Sequence, residues 1–205
     1  MSPSDAEGVR RAALGARDGA DLIARARTCT ACPELAATRT QVVPGVLPPG
    51  ARILVLGEAP GASEDATGTP FVGRSGQLLD ELLTAVGVDR SQVAVLNTVQ
   101  CRPPGNRPPT RSETATCRPW ARRQLDLAAP EVVVALGLSA TRWFLGPTTL
   151  TAVRGRVHAR EGVRVLPTYH PSAALRGGPR GEPRRLLQED LALARDTAAA
   201  GTART

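Results

Sequence analysis

Apolar and polar positions along this 205-residue chain fall into two alternating patterns. Short, unbroken apolar runs are followed by glycine- or proline-bearing loops, and those loops lead into longer stretches with apolar residues at helical spacing. The runs Arg52–Leu56 (RILVL), Gln92–Leu96 (QVAVL), Val132–Leu136 (VVVAL) and Val163–Leu166 are predicted as buried strands. Gly76–Val86 (GQLLDELLTAV) is predicted as a helix stopped by Gly87. A second helix begins near Thr110, where Glu113 suits a capping box, and others are expected at Ser139–Leu145 and Glu182–Ala199. Residues 1–27, rich in Ala, Arg and Asp, are expected to form a helix with a frayed polar start, followed by a turn over Thr28–Pro33. The last residues, AAAGTART, are expected to be disordered.

Strands alternating with helices imply an α/β fold of three layers, α/β/α, with a central four-stranded, mostly parallel sheet. The expected organisation is an N-terminal helical extension (1–27), one main domain (28–199) and a flexible tail (200–205). In such sheets ligands bind beyond the carboxyl ends of the strands. The residues that look least like packing follow those ends: Glu58 after the first strand, Asn97 after the second, Gly137 after the third and His170 after the fourth.

Charge narrows the partner. The net charge is +7 and the isoelectric point about 10.7, which favours a polyanion such as nucleic acid. Every one of the 26 basic residues is arginine, so neither a Walker A lysine nor a lysine Schiff base is available. Arginine also grips phosphate bidentately. No apolar run approaches the roughly 20 residues that span a bilayer, and residues 1–20 lack the apolar core of a secretory signal. A cytoplasmic protein without a membrane partner is therefore expected, with reduced thiols. Cys29, Cys32, Cys101 and Cys117 then point to metal or redox chemistry. Four thiolates suit either zinc or an iron–sulfur cluster, and the spacing leaves that choice open.

Glycines in Gly57-Glu58-Ala59-Pro60-Gly61 allow a backbone to approach a ligand closely. Phe71, in a glycine-flanked loop at the ligand edge, is placed to stack on a base. Asn97 offers a donor and an acceptor together, the match to the edge of a pyrimidine. His170-Pro171-Ser172, followed by Ala173, Ala174, Leu175 and Arg176, makes a rigid loop suited to a DNA groove.

Together these phrases, with Gly68-Thr69-Pro70-Phe71-Val72-Gly73-Arg74, Asn97-Thr98-Val99 and Cys101-Arg102-Pro103-Pro104-Gly105-Asn106-Arg107, closely resemble the iron–sulfur (family 4) uracil-DNA glycosylases. The resemblance runs from about Cys29 to the last helix. It implies a [4Fe–4S] cluster on Cys29, Cys32, Cys101 and Cys117, with a structural role. It also implies hydrolysis of the N-glycosidic bond of uracil in DNA, leaving an abasic site for downstream repair enzymes. Catalysis would rest on Glu58, Asn97 and His170, and the uracil pocket on Gly57, Glu58, Gly61, Glu64, Phe71, Asn97 and His170. Within that pocket Phe71 would stack on the ring, Asn97 read its O4/N3 edge and His170 donate to O2, while Glu64 would crowd C5 against thymine. DNA contacts are expected at Arg74, Arg102, Arg107, Ser172 and Arg176, with Arg176 and its apolar neighbours Ala174 and Leu175 holding open the gap left by the flipped base. Related families carry an aspartate where this chain has Ala59, so either Glu58 positions the water or the stabilised uracil anion supplies most of the rate.

With no lysine, the enzyme is expected to be monofunctional, and a monomer. Two other readings stay open. One is the related class that traps uracil-DNA covalently through a histidine in an inserted basic loop, but the loop Arg102–Arg111 has no histidine. The other is a non-catalytic iron–sulfur module that binds nucleic acid.

Overall fold

The computed structural model describes residues 3–201. Its sheet has the order β2-β1-β3-β5-β4, built from β1 (Ile53–Gly57), β2 (Val93–Asn97), β3 (Val132–Leu136), β4 (His158–Arg160) and β5 (Val163–Thr168). β1, β2, β3 and β5 run parallel, while β4 pairs antiparallel with β5. The three unbroken apolar strands β1, β2 and β3 are buried along their whole length, as strands covered on both faces must be.

One face is packed by α5 (Arg74–Ala85) and α10 (Glu182–Gly201), with Leu79, Leu82, Leu83, Leu187 and Leu191 against Val55, Val95 and Val134. The other carries α6 (Arg111–Ala128) and α7 (Gly137–Leu145), with Ala121, Leu125, Trp143 and Phe144 against Leu54, Leu96 and Val133. A third cluster joins α1 (Ala6–Leu14), α2 (Gly19–Arg27) and α3 (Pro33–Thr38) to Trp120, Cys101 and Cys117. Three short helices complete the chain: α4 (Ala62–Thr67), α8 (Leu150–Val153) and α9 (Pro171–Gly177).

The sheet has five strands where the apolar runs indicated four. β4 is only three residues long and largely exposed, so it carries no apolar run to detect. The single N-terminal helix is in fact two. Gly15 closes α1, and Asp18 starts α2 by accepting from the Asp21 amide at 2.8 Å, which breaks the helix between them. At the other end α10 continues to Gly201, so residues 198–201 of the tail expected to be disordered are helical, and 202–205 lie outside the described residues. Thr110 and Glu113 do form a capping box at the start of α6.

The free edge of β2 is covered. Val46 and Val95 exchange backbone hydrogen bonds at 2.9 Å, and the Val43 amide donates to Gln100 O at 2.7 Å. No helix among the described residues is long and apolar enough to cross a membrane.

Candidate active site

The register of the sheet brings the expected residues together. Gly57 lies beside Asn97 at the ends of β1 and β2, and Leu136 beside Thr168 at the ends of β3 and β5. A cleft of about 540 Å³ opens there, lined by Glu58, Gly61, Glu64, Phe71, Asn97 and His170 among others. Arg74, Arg107, Ser172 and Arg176 stand on its walls. Gly57 lies beneath the lining, and Arg102 lies outside it.

Asn97 is 3% exposed, yet its side-chain amide has no hydrogen-bond partner among the described residues. A buried amide normally finds partners inside the fold, so one left open at a cleft is arranged for something that enters. Gly57 makes this possible. A β-carbon there would stand 2.4 Å from Asn97 Oδ1 and 2.6 Å from Phe71 Cζ. The Phe71 ring and the Asn97 amide thus close directly over the bare backbone of Gly57.

Phe71 sits at φ 58°, a left-handed conformation that is uncommon for a bulky residue. Gly76 is the reason it fits: a β-carbon on Gly76 would overlap the Phe71 carbonyl, 1.8 Å from its oxygen. Sequence reasoning missed Gly76, although a glycine in the first turn of an otherwise leucine-rich helix is a signal of close backbone approach.

Glu64 lines the cleft and is also held by the loop. Its carboxylate accepts from three backbone amides, those of Gly61 (3.1 Å), Val72 (3.0 Å) and Gly73 (2.7 Å). Both oxygens are engaged, so Glu64 braces the loop that carries Phe71. Its neighbour Asp65, also missed, accepts from the Thr40 amide at 3.0 Å and ties this helix to the segment after α3. Glu58 lines the cleft with its carboxylate free of protein partners among the described residues. Its backbone oxygen is held by Thr98 Oγ1 at 2.7 Å and by the Val99 amide.

His170 caps the start of α9. Its Nδ1 accepts from the Ser172 amide at 3.1 Å and lies 2.9 Å from Ser172 Oγ. With Nδ1 accepting, the ring proton resides on Nε2, which can donate. Burial, and next the charge of Arg176, lower the His170 pKa to about 4, so the ring is neutral near pH 7. Gly137, at φ +80°, leaves 3.2 Å between the position of its missing β-carbon and His170 Cβ. The imidazole centre stands 6.2 Å from that of Phe71.

Two of the residues expected at DNA are engaged within the protein. Arg107 makes a two-pronged bond to Glu113 (2.9 and 2.7 Å) and reaches Glu34 at 3.2 Å, so its charge is neutralised within the protein. The carboxylate that caps α6 is what draws it in, and Arg107 in turn holds the Glu113 pKa down at about 2. Ala174 is 1% exposed in the main core, which leaves Leu175, 36% exposed, as the apolar side chain facing outward. Arg74 and Arg176 have no protein partner among the described residues, and Arg102 bonds only Asn106 Oδ1 at 2.8 Å.

The four cysteines also converge. Cys29, Cys32, Cys101 and Cys117 line one small void with Leu35, Arg39, Val99, Thr116 and Trp120. Two N–H groups are directed at sulfur: Arg39 Nη1 to Cys101 Sγ at 3.0 Å and the Gln100 amide to Cys117 Sγ at 3.4 Å. Burial pushes the Cys32 and Cys101 thiols up to about 11 and Cys117 well above its ordinary value. Among the described residues no three histidine, cysteine or carboxylate groups close around the position of a single ion.

The sequence profile of the uracil DNA glycosylase superfamily matches residues 44–192. A type-4 uracil-DNA glycosylase of Thermotoga maritima is 45% identical over 170 residues, covering 82% of this chain and 88% of that protein. One from Sulfurisphaera tokodaii is 38% identical over 181 residues, covering 83% and 80%. One from Archaeoglobus fulgidus is 40% identical over 164 residues, covering 76% and 82%. With the cleft at the strand ends, a profile match over most of the length and relatives this similar, the chain belongs to the uracil DNA glycosylase superfamily.

Proposed function

We propose that this chain is a monofunctional uracil-DNA glycosylase that leaves an abasic site for later repair enzymes. The observation that carries the reading is the side-chain amide of Asn97, on a residue only 3% exposed, left without a protein partner in the cleft that Phe71 and His170 also line. A base reached from a duplex must leave the stack, at a cost on the order of a few kcal/mol that is least for a mispaired one. Phe71 then offers a face to stack on. Asn97 pairs with O4 and N3 of uracil and rejects cytosine, whose N4 amino group donates where an acceptor is needed.

As the glycosidic bond breaks, its electron pair moves onto the base, and negative charge grows at O2. His170 donates an Nε2–H hydrogen bond there, keeping its proton, from a neutral ring whose orientation Ser172 fixes. Water adds to the sugar carbon that the base leaves, and the proton it gives up as the bond forms passes to the departing uracil anion, directly or by way of the Glu58 carboxylate. Glu58, a carboxylate on the cleft wall without a protein partner, orients that water. Arg74 and Arg176 meet phosphates at the rim, and Leu175 occupies the space the base vacates.

The four cysteines hold a [4Fe–4S] cluster in this reading. Each thiolate of a cubane binds a different iron, so the ligands stand farther apart than around one zinc. Thiols lining a common void, with N–H groups directed at two sulfurs, fit that arrangement. The cluster would fasten the turn at Cys29 and Cys32 to the β2–α6 loop and to α6 itself, away from the reaction. The protein acts as a monomer in the cytoplasm.

The test is incubation with DNA carrying one uracil, followed by alkaline cleavage. Cleavage at that position, absent from uracil-free DNA, supports the reading; no uracil release sinks it. Strand scission before alkali, or a protein–DNA band that survives denaturation, would instead indicate a lyase or a covalent trap.

A further inference from the structure

Asp190, on α10, is 3% exposed. Its carboxylate accepts from Thr168 Oγ1 at 2.6 Å and from Arg154 Nη2 at 3.0 Å on both oxygens. Arg154 follows α8, and its guanidinium carbon stands 5.7 Å from the centre of the Tyr169 ring. Gly155 allows the approach, since a β-carbon there would come within 3.3 Å of Asp190 Oδ1. Thr168 ends β5, Tyr169 follows, and His170 is next.

A buried ion pair is weak evidence for stability, because the loss of hydration offsets most of the attraction. This one also leaves Arg154 Nε buried without a partner, which a pair selected for stability alone would avoid. Its location supplies another purpose. The two residues that precede His170 are each held by one member of the pair, Thr168 by Asp190 and Tyr169 by Arg154.

We infer that Asp190 and Arg154 are positioning residues for His170, setting through Thr168 and Tyr169 where Nε2 stands in the cleft. The inference rests on the role given to His170 above. His170 is held from both sides: Ser172 fixes the rotation of the ring, and the Asp190–Thr168 bond fixes the backbone from which it projects. A displacement of about 1 Å in a reacting group can lower a rate by roughly a hundredfold, so the bond has leverage without touching the base.

Thr168→Val removes the hydroxyl and keeps the shape, while Thr168→Ser keeps the hydroxyl. The chain has two histidines, so the His170 ring resonances can be assigned against a His158→Gln background. The expected result is that Thr168→Val lowers single-turnover uracil release by about tenfold or more and shifts the His170 ring signals. DNA affinity should stay near wild type, and Thr168→Ser should restore both rate and signals. Unchanged His170 signals in folded Thr168→Val would overturn the inference, as would equal losses in the two variants. A wild-type protein that releases no uracil would instead defeat the glycosylase reading, leaving the ring signals to decide the positioning role.

Discussion

Asn97 Oδ1 lies 2.4 Å from the point where a side chain on Gly57 would begin. Register places the two residues side by side at the end of neighbouring parallel strands. A methyl group there has to displace either the amide or the Phe71 ring. Gly57→Ala is therefore expected to lower uracil release by about a hundredfold or more while leaving affinity for uracil-free DNA intact, as read by single-turnover kinetics and fluorescence anisotropy.

The pH response follows from His170. Its folded pKa, about 4, lies below the ordinary 6.5. The neutral, donating ring persists down to about pH 4, so the rate should show no histidine-dependent limb near neutrality. Stability has the same sign: the unfolded chain binds the proton more readily, so this contribution is complete above pH 6.5 and is lost as pH falls toward 4. His170→Gln should flatten that part of the urea-midpoint profile between those two values; an unchanged slope would mean that the ring is not held neutral.

Glu64 can be separated from base discrimination. Because it bonds three loop amides, Glu64→Ala should destabilise the fold by about 2 kcal/mol or more and impair uracil release, both seen by urea unfolding and activity. Thymine should still be rejected. If thymine were released, Glu64 would be guarding the ring directly.

The arginines should divide into two groups. Arg74→Gln and Arg176→Gln are expected to reduce the salt dependence of DNA binding by about one phosphate contact each. Arg107→Gln should leave that slope nearly unchanged and lower the melting temperature, because its partners are Glu113 and Glu34. A salt slope altered as much by Arg107 as by Arg74 would contradict the division.

Much of this was legible in the chain. Continuous apolar runs such as VVVAL have one stable home, a strand covered on both faces, and the residue after each run is then at the ligand edge. Glu58, Phe71, Asn97 and His170 were placed by that logic, and the structure brings them around one cleft. What sequence could not carry was side-chain allocation. Arg102 and Arg107 look alike in a proline-rich basic loop, but a carboxylate at a helix start captures only one of them. Glu64 and Asp65 look like a solvated pair, and only the folded loop shows backbone amides from distant positions meeting them. The three-residue β4 has no pattern of its own and exists because β5 offers it an edge.

Cys101→Ala should abolish the visible absorbance expected of the cluster and lower the melting temperature. A folded, fully active, colourless variant would remove the structural role proposed for it.

Val46 closes the outer edge of β2, and the segment that delivers it is tied down by Asp65 at Thr40 and by Arg39 at Cys101 and Cys29. Releasing that segment would uncover a row of unpaired strand N–H and C=O groups beside apolar Val93 and Val95, a template on which a second chain can add. Damage to the cysteine centre would then register not only as lost thermal stability but as self-association of the chain along that edge.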